Sequence, residues 1–303
     1  MISSALSLKD VLSSGQKVIT AEVTPPHGTD TTHFLSTAKL LSPYVHSFNI
    51  TDNQRALMRM SGLACASLLI REGLNPIFQI TCRDRNILAL QSDLLGAAAL
   101  GVRDVLALTG DPVGAGDTPE AKGVFQFEAT GLLNLIAKMN SGVDVIGKPL
   151  NGSLGIHAGA VVNPGGRSMD PQIKRLEKKM KAGAQFFQTQ AVFSVQTMQE
   201  FMEKVRPTGA KIIAGVLLVR TLKTAKFLQE KVPGIFVPEE LFSKLEKAED
   251  PAEAGIDFAA GLVKEYLQIC DGVHLMAIRS EEKLIDVLTR AGQGKIAHIR
   301  KDA

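Results

Sequence analysis

Val105-Leu106-Ala107-Leu108-Thr109-Gly110-Asp111-Pro112 is the stretch whose reading decides the fold. Four apolar residues make a short buried strand, and Gly-Asp-Pro stops it with turn chemistry. A carboxylate is left at the carboxyl end of a strand, where α/β folds place their ligands. Asp before Pro is also ordinary turn chemistry, so this stretch alone supports either reading. The neighbouring segments decide between them.

Working outward, the same unit recurs. Strands are predicted over 18–23, 45–51, 76–82, 104–108, 154–162, 185–192, 211–219 and 272–278. Helices are predicted over 29–41, 58–72, 86–100, 127–140, 170–182, 195–205, 222–231, 238–247, 251–269 and 281–291, after a short amphipathic element at 7–15. Gly73, Gly101 and Gly183 follow three of these helices and supply left-handed C-caps. Repeated strand–helix alternation implies a parallel sheet. Eight units in 303 residues suit a single (β/α)8 TIM barrel over 1–303, with a short N-terminal helix. Neither G-x-G-x-x-G nor G-x-x-x-x-G-K-[ST] occurs, which argues against the open-sheet alternatives.

Composition narrows the function. Apolar residues at 45% support a sizeable core, and a net charge of +3 argues against a nucleic-acid or membrane-surface protein. Trp is absent and Tyr occurs twice, so base-stacking platforms are not expected. Cys65, Cys82 and Cys270 are odd in number and widely spaced, which suits a reducing, cytoplasmic setting without a cysteine-built metal site. The polar start, Met1 to Lys17, does not read as a secretory signal, and no run is long enough to span a bilayer.

In such a barrel the strand ends converge on one mouth. In order they carry Glu22, Thr51, Thr81, Asp111, Asn163, Gln190, Arg220 and Arg279. Glu22 lies in an apolar strand before Pro25-Pro26. Desolvation there raises a carboxyl pKa toward a value useful for proton donation, unless the side chain is ion-paired or faces outward. Asp111 sits in a more polar turn and stays ionised, so the two read as an acid and an electrostatic partner. Gln188 and Gln190 alternate on one face of their strand. His157 and His274 fall within strands and read as core residues, while His27, His33 and His46 are scattered. Without H-E-x-x-H or a His/Asp cluster, no metal site is expected. Asn163-Pro164-Gly165-Gly166-Arg167 can turn backbone N–H groups toward an anion. Lys174, Arg175, Lys178, Lys179 and Lys181 crowd the next helix, as a phosphate-binding or merely solvated face.

These residues carry a family resemblance. Ala21-Glu22-Val23-Thr24-Pro25-Pro26, Phe48-Asn49-Ile50-Thr51, Gln79-Ile80-Thr81-Cys82, Leu108-Thr109-Gly110-Asp111-Pro112, Val162-Asn163-Pro164, Leu176 to Ala184 and Thr189-Gln190 occur in order, each on its own strand or helix. In this the chain resembles the methylenetetrahydrofolate reductase family of flavin-dependent barrels.

The resemblance implies reduction of 5,10-methylenetetrahydrofolate to 5-methyltetrahydrofolate, with Glu22 as general acid and Asp111 between flavin and pterin. Gln190 would hold the pterin, with Leu222 and Arg279 at other substrate positions. Thr51, Gly110, Asn163, Gly166, Arg175, Lys178, Lys179 and Gln188 would contact the flavin, FAD or alternatively FMN.

Leu222 stands where NADH-using relatives carry Phe, and Thr109 where many carry Arg. Gln79 and Asn163 stand where His is frequent, and a frequent Tyr near Met276 is absent. The pattern is similar to the form of anaerobes with the folate-based acetyl-CoA pathway. The implied electron donor is therefore NAD(P)H, or reduced ferredoxin through an iron–sulfur- and zinc-bearing partner subunit. An oligomer is expected. The alternatives are a non-catalytic barrel subunit and another (β/α)8 enzyme acting on a phosphorylated substrate.

Overall fold

The computed structural model describes residues 7–296 apart from 166, 167 and 233. Eight parallel strands form one closed barrel in sequence order: β1 Val18–Val23, β2 Ser47–Ile50, β3 Pro76–Thr81, β4 Asp104–Leu108, β5 His157–Val162, β6 Phe186–Ala191, β7 Ile212–Leu218 and β8 Gly272–Ala277. Closure is made by β8 against β1, with Val18 opposite Gly272 and Ala21 opposite Leu275. The strands are almost wholly buried because helices cover the outside and side chains fill the inside.

The helices are α1 Leu8–Ser14, α2 Thr32–Leu41, α3 Gly62–Arg71, α4 Ile87–Ala99, α5 Ala129–Asn140, α6 Met169–Lys181, α7 Val195–Val205, α8 Leu222–Lys231, α9 Glu239–Lys247, α10 Pro251–Ile269 and α11 Leu284–Arg290. None of the described helices is long and apolar enough to cross a membrane.

A helix as short as α1 is not stable by itself in water. A capping box between Ser7 and Asp10 starts it, and Gly15 at φ +79° ends it. Leu8, Val11 and Leu12 are buried against Val18, Ile77, Leu106, Phe186 and Ile213. At about 1.5–3 kcal/mol per buried large apolar side chain, this contact holds α1 on the barrel. Beside it His157 Nδ1 and the Asp104 carboxylate lie 2.8 Å apart, and the His157 ring stacks on Phe186. Gly159 is required there, since a Cβ would lie 2.3 Å from the Phe186 ring.

Two polar pairs are buried inside the barrel, one between the neighbouring strands β1 and β8 and one across it between β2 and β6. Thr20 Oγ1 meets His274 Nδ1 at 2.9 Å, and Asn49 exchanges two hydrogen bonds with Gln188. Desolvation lowers the His274 pKa to about 3, so its ring is neutral.

Several elements start later than their sequence patterns predict. The helix expected from 58 begins at Gly62, because residues 53–56 form an irregular turn in which Asn53, Arg55 and Ala56 all have positive φ. The strand expected from 154 begins at His157, and the last predicted helix divides into a 3-10 turn, Glu281–Lys283, and α11.

Candidate active site

The carboxyl ends of the strands open into a cavity of about 630 Å³. Glu22 from β1, Thr51 after β2, Asp111 after β4, Gln190 from β6 and Arg279 after β8 all line it. Five residues far apart in sequence are brought together by the parallel order of the strands. The volume lies within the range of small-molecule sites.

Glu22 is half-buried in the cavity wall. Desolvation raises its carboxyl pKa to about 7, nearby Glu281 adds to the shift, and a hydrogen bond with the Gln54 side chain opposes it. A substantial protonated fraction is therefore available near neutral pH.

Asp111 has a different setting. It is exposed, and its Oδ2 accepts a hydrogen bond from the Arg55 backbone N–H at 2.8 Å. It follows Gly110, whose φ of +95° turns the chain out of β4. Thr109 has a structural role, since its hydroxyl accepts the N–H of Ala129 at 3.1 Å and caps α5.

A register shift in the β6–β7 pairing falls between Gln188 and Ala191. Gln190 is exposed at the mouth, whereas the Gln188 amide is buried and engaged on both sides by Asn49. Gln188 does not line the cavity.

Two buried polar atoms have no hydrogen-bond partner among the described residues close to this rim, Thr51 Oγ1 and Arg83 Nη1. Thr51 lines the cavity; Arg83 lies beneath Gly110, its other guanidinium nitrogens bound to Asp84 at 2.7 and 2.6 Å. Both can donate, so this rim suits a ligand rich in acceptors. Among the described residues no group of His, Cys, Asp and Glu is arranged to hold a metal.

Other residues singled out from the sequence lie elsewhere. Asn163 donates to Gly234 O at 3.1 Å and accepts Gly165 N–H at 3.0 Å, tying the loop after β5 to the segment after α8. Gly166 lies outside the described residues. Arg175 and Lys178 are exposed on α6, while Lys179 donates to Val161 O at 2.6 Å. Desolvation, then the nearby Arg175 charge, lowers the Lys179 pKa. Leu222 opens α8 and packs against the core. Asn163, Arg175, Lys178, Lys179 and Leu222 do not line the cavity.

The cavity also holds residues that strand-end reading does not reach. His33 from α2, Gln54 and Arg55 from the turn after β2, Phe227 from α8 and Glu281 all line it. The visible signal for the Gln54–Arg55 turn is the polar cluster Thr51-Asp52-Asn53-Gln54.

The model of the family described as methylenetetrahydrofolate reductase matches residues 7–292. The chain belongs to the methylenetetrahydrofolate reductase family. It is 26% identical over 249 residues to methylenetetrahydrofolate reductase (NADH) 1 of Arabidopsis thaliana, an alignment covering 77% of this chain and 39% of that protein. It is 26% identical over 201 residues to the 5,10-methylenetetrahydrofolate reductase of Salmonella typhimurium, covering 64% of this chain and 62% of that one. The chain thus spans about two fifths of the Arabidopsis relative's length. Among solved structures, an uncharacterized protein from Clostridium thermocellum that binds two copies of 5-methyl-5,6,7,8-tetrahydrofolic acid superposes with a TM-score of 0.63 at 15% identity. That match covers 94% of this chain and 97% of the other, and it establishes a shared fold.

Proposed function

We propose that the chain reduces 5,10-methylenetetrahydrofolate to 5-methyltetrahydrofolate with a bound flavin. Family membership supports the substrate class, and the fold neighbour that binds a methyltetrahydrofolate agrees with it. The observation that carries the mechanism is the Glu22 carboxyl, half-buried in the cavity wall with its pKa raised to about 7.

The rim fits a flavin. The unpartnered Thr51 hydroxyl and Arg83 N–H offer donors, and Gly110 lets the β4 end turn close against Arg83. Arg175, Lys178 and Lys179 on α6, with Asn163 and Gly166 in the preceding loop, would serve its phosphate-bearing side. Gln188 is left out of this set because Asn49 occupies its amide. Bound there, the flavin would supply the hydride. FAD is the form proposed, with FMN the alternative, and the mass of the acid-released cofactor separates them.

The chain's own groups do the rest. Protonated Glu22 gives its proton to a nitrogen of the folate's five-membered ring, which opens to an iminium able to accept a hydride. Asp111 accepts hydrogen bonds from the pterin with the oxygen lone pairs that the Arg55 N–H leaves free. Gln190 holds the pterin edge, and Arg279 lies at the same mouth to meet substrate charge. Leu222, packed into the core, is left out of the substrate set. The electron donor is NAD(P)H, or reduced ferredoxin through a partner subunit.

The test is anaerobic turnover of Glu22→Gln. The variant should bind flavin and accept electrons from an artificial donor, yet lose at least about a hundredfold in folate reduction, the low end of a general acid's contribution. Normal folate turnover in this variant would refute the assignment.

A further inference from the structure

The Arg55 guanidinium carbon lies 5.1 Å from the centroid of the Phe227 ring. Arg55 comes from the turn after β2 and Phe227 from α8, so the contact bridges two sides of the cavity that both residues line. We propose that Phe227 is the stacking platform for the benzoyl ring of the folate, and that Arg55 is a placeholder which this ring displaces. The inference rests on the folate reading above.

Phe227 is half-buried and packs on the core, so the face covered by Arg55 is the face available to a ligand. The other aromatic side chain lining the cavity, Phe34, is only 4% exposed. The same cavity is lined by the apolar residues Leu217, Val232 and Ile235, which suit a flat uncharged ring. A ring in stacking contact would need the space the guanidinium fills, so one site has two competing occupants.

Arg55 is suited to yield. Its guanidinium makes no ion pair among the described residues and is exposed. Its backbone is fixed, with the N–H on Asp111 and φ at +58°. The side chain can therefore swing while its root stays in place. The position also selects the ring. Glu22, Asp111 and Gln190 sit at strand ends and offer polar groups for the pterin, whereas Phe227 lies on the outer helix, where the benzoyl part of a pterin-bound folate would extend.

The experiment is calorimetric titration of the purified full chain with 5-methyltetrahydrofolate. Phe227→Leu should weaken binding about tenfold, and Phe227→Tyr should stay within about twofold of the parent. Arg55→Ala should tighten binding about two- to fivefold, and should change nothing in the Phe227→Leu background. Unchanged affinity in Phe227→Leu, or weaker binding in Arg55→Ala, would overturn the proposal while leaving the folate reading intact. Failure of the parent chain to bind 5-methyltetrahydrofolate would overturn both.

Discussion

Asn49 and Gln188 exchange two side-chain hydrogen bonds, Nδ2 to Oε1 at 2.6 Å and Nε2 to Oδ1 at 3.0 Å. They sit on β2 and β6, which are opposite staves of the eight-stranded ring, so the pair spans the barrel interior. Both side chains are buried, and each satisfies the other.

Removing one partner should therefore cost more than removing both. Asn49→Leu leaves the Gln188 amide with an unmet donor and acceptor, a loss of about 2–4 kcal/mol. Asn49→Leu with Gln188→Leu should recover much of that, because no polar group is stranded. Urea unfolding of the two singles and the double checks this. Strictly additive losses would mean the pair is not coupled.

Glu22 ties function to stability. Its carboxyl is raised from 4.5 to about 7, chiefly by desolvation. Below the unfolded value the group is protonated in both states and has no pH-linked effect. As pH climbs toward 7 the unfolded chain ionises first, so folding stability falls, and the loss levels off above the folded value. The full loss is about 3 kcal/mol. Glu22→Gln should thus be more stable than the parent at pH 8 and nearly equal to it at pH 4, measured by denaturant midpoints. Under the proposed mechanism, in which Glu22 is the acid, folate reduction by the parent should fall as pH rises through about 7.

The barrel was legible because strand and helix periods alternate and because polar residues recur where apolar runs stop. The same signal leads to Glu22, Thr51, Asp111, Gln190 and Arg279, which share one cavity. It does not lead to Arg55 or Phe227, which meet only when the turn after β2 takes three left-handed residues and reaches α8. Gln188 and Gln190 look equivalent by alternation, yet one is locked in the interior and the other exposed past a register shift. The cations of α6 form a pattern that sequence cannot orient. Lys179 turns inward to Val161 O, while Arg175 and Lys178 point to solvent.

Asp52, which strand-end reading passes over, is the hub of the β2–β3 rim. Its Oδ2 accepts the Thr81 N–H and hydroxyl, each at 2.9 Å, and its two oxygens take Arg85 Nη1 and Nη2 at 2.6 and 3.2 Å. Asp52 is 3% exposed. Asp52→Ala leaves the largely buried Arg85 guanidinium with Asp93 as its remaining carboxylate and unpairs the Thr81 N–H from its acceptor, and should cost about 2–4 kcal/mol. Asp93 binds the same Arg85 at 2.7 Å, but its side chain is 34% exposed. Asp93→Ala should cost under about 1 kcal/mol. Equal losses in the two variants would show that burial does not govern this network.

Gly110 sets the direction of the chain at Asp111, and two demands fall on it together. Its φ is +95°, and a Cβ would lie 2.8 Å from Arg83 Cβ and 3.2 Å from Thr81 Cβ. Gly15 meets only the first demand, with φ at +79° and nothing within 4 Å of where a Cβ would stand. Gly15→Ala should cost about 1 kcal/mol, the left-handed penalty alone. Gly110→Ala adds a clash with the root of a buried Arg whose guanidinium is held by Asp84, so it should cost about 2–4 kcal/mol. Relief of that clash moves Asp111 away from the Arg55 N–H, so folate turnover should fall in Gly110→Ala and stay normal in Gly15→Ala. Thermal melts and steady-state rates on both variants separate the backbone term from the contact term, and equal losses would remove the contact with Arg83 as the reason for glycine at 110.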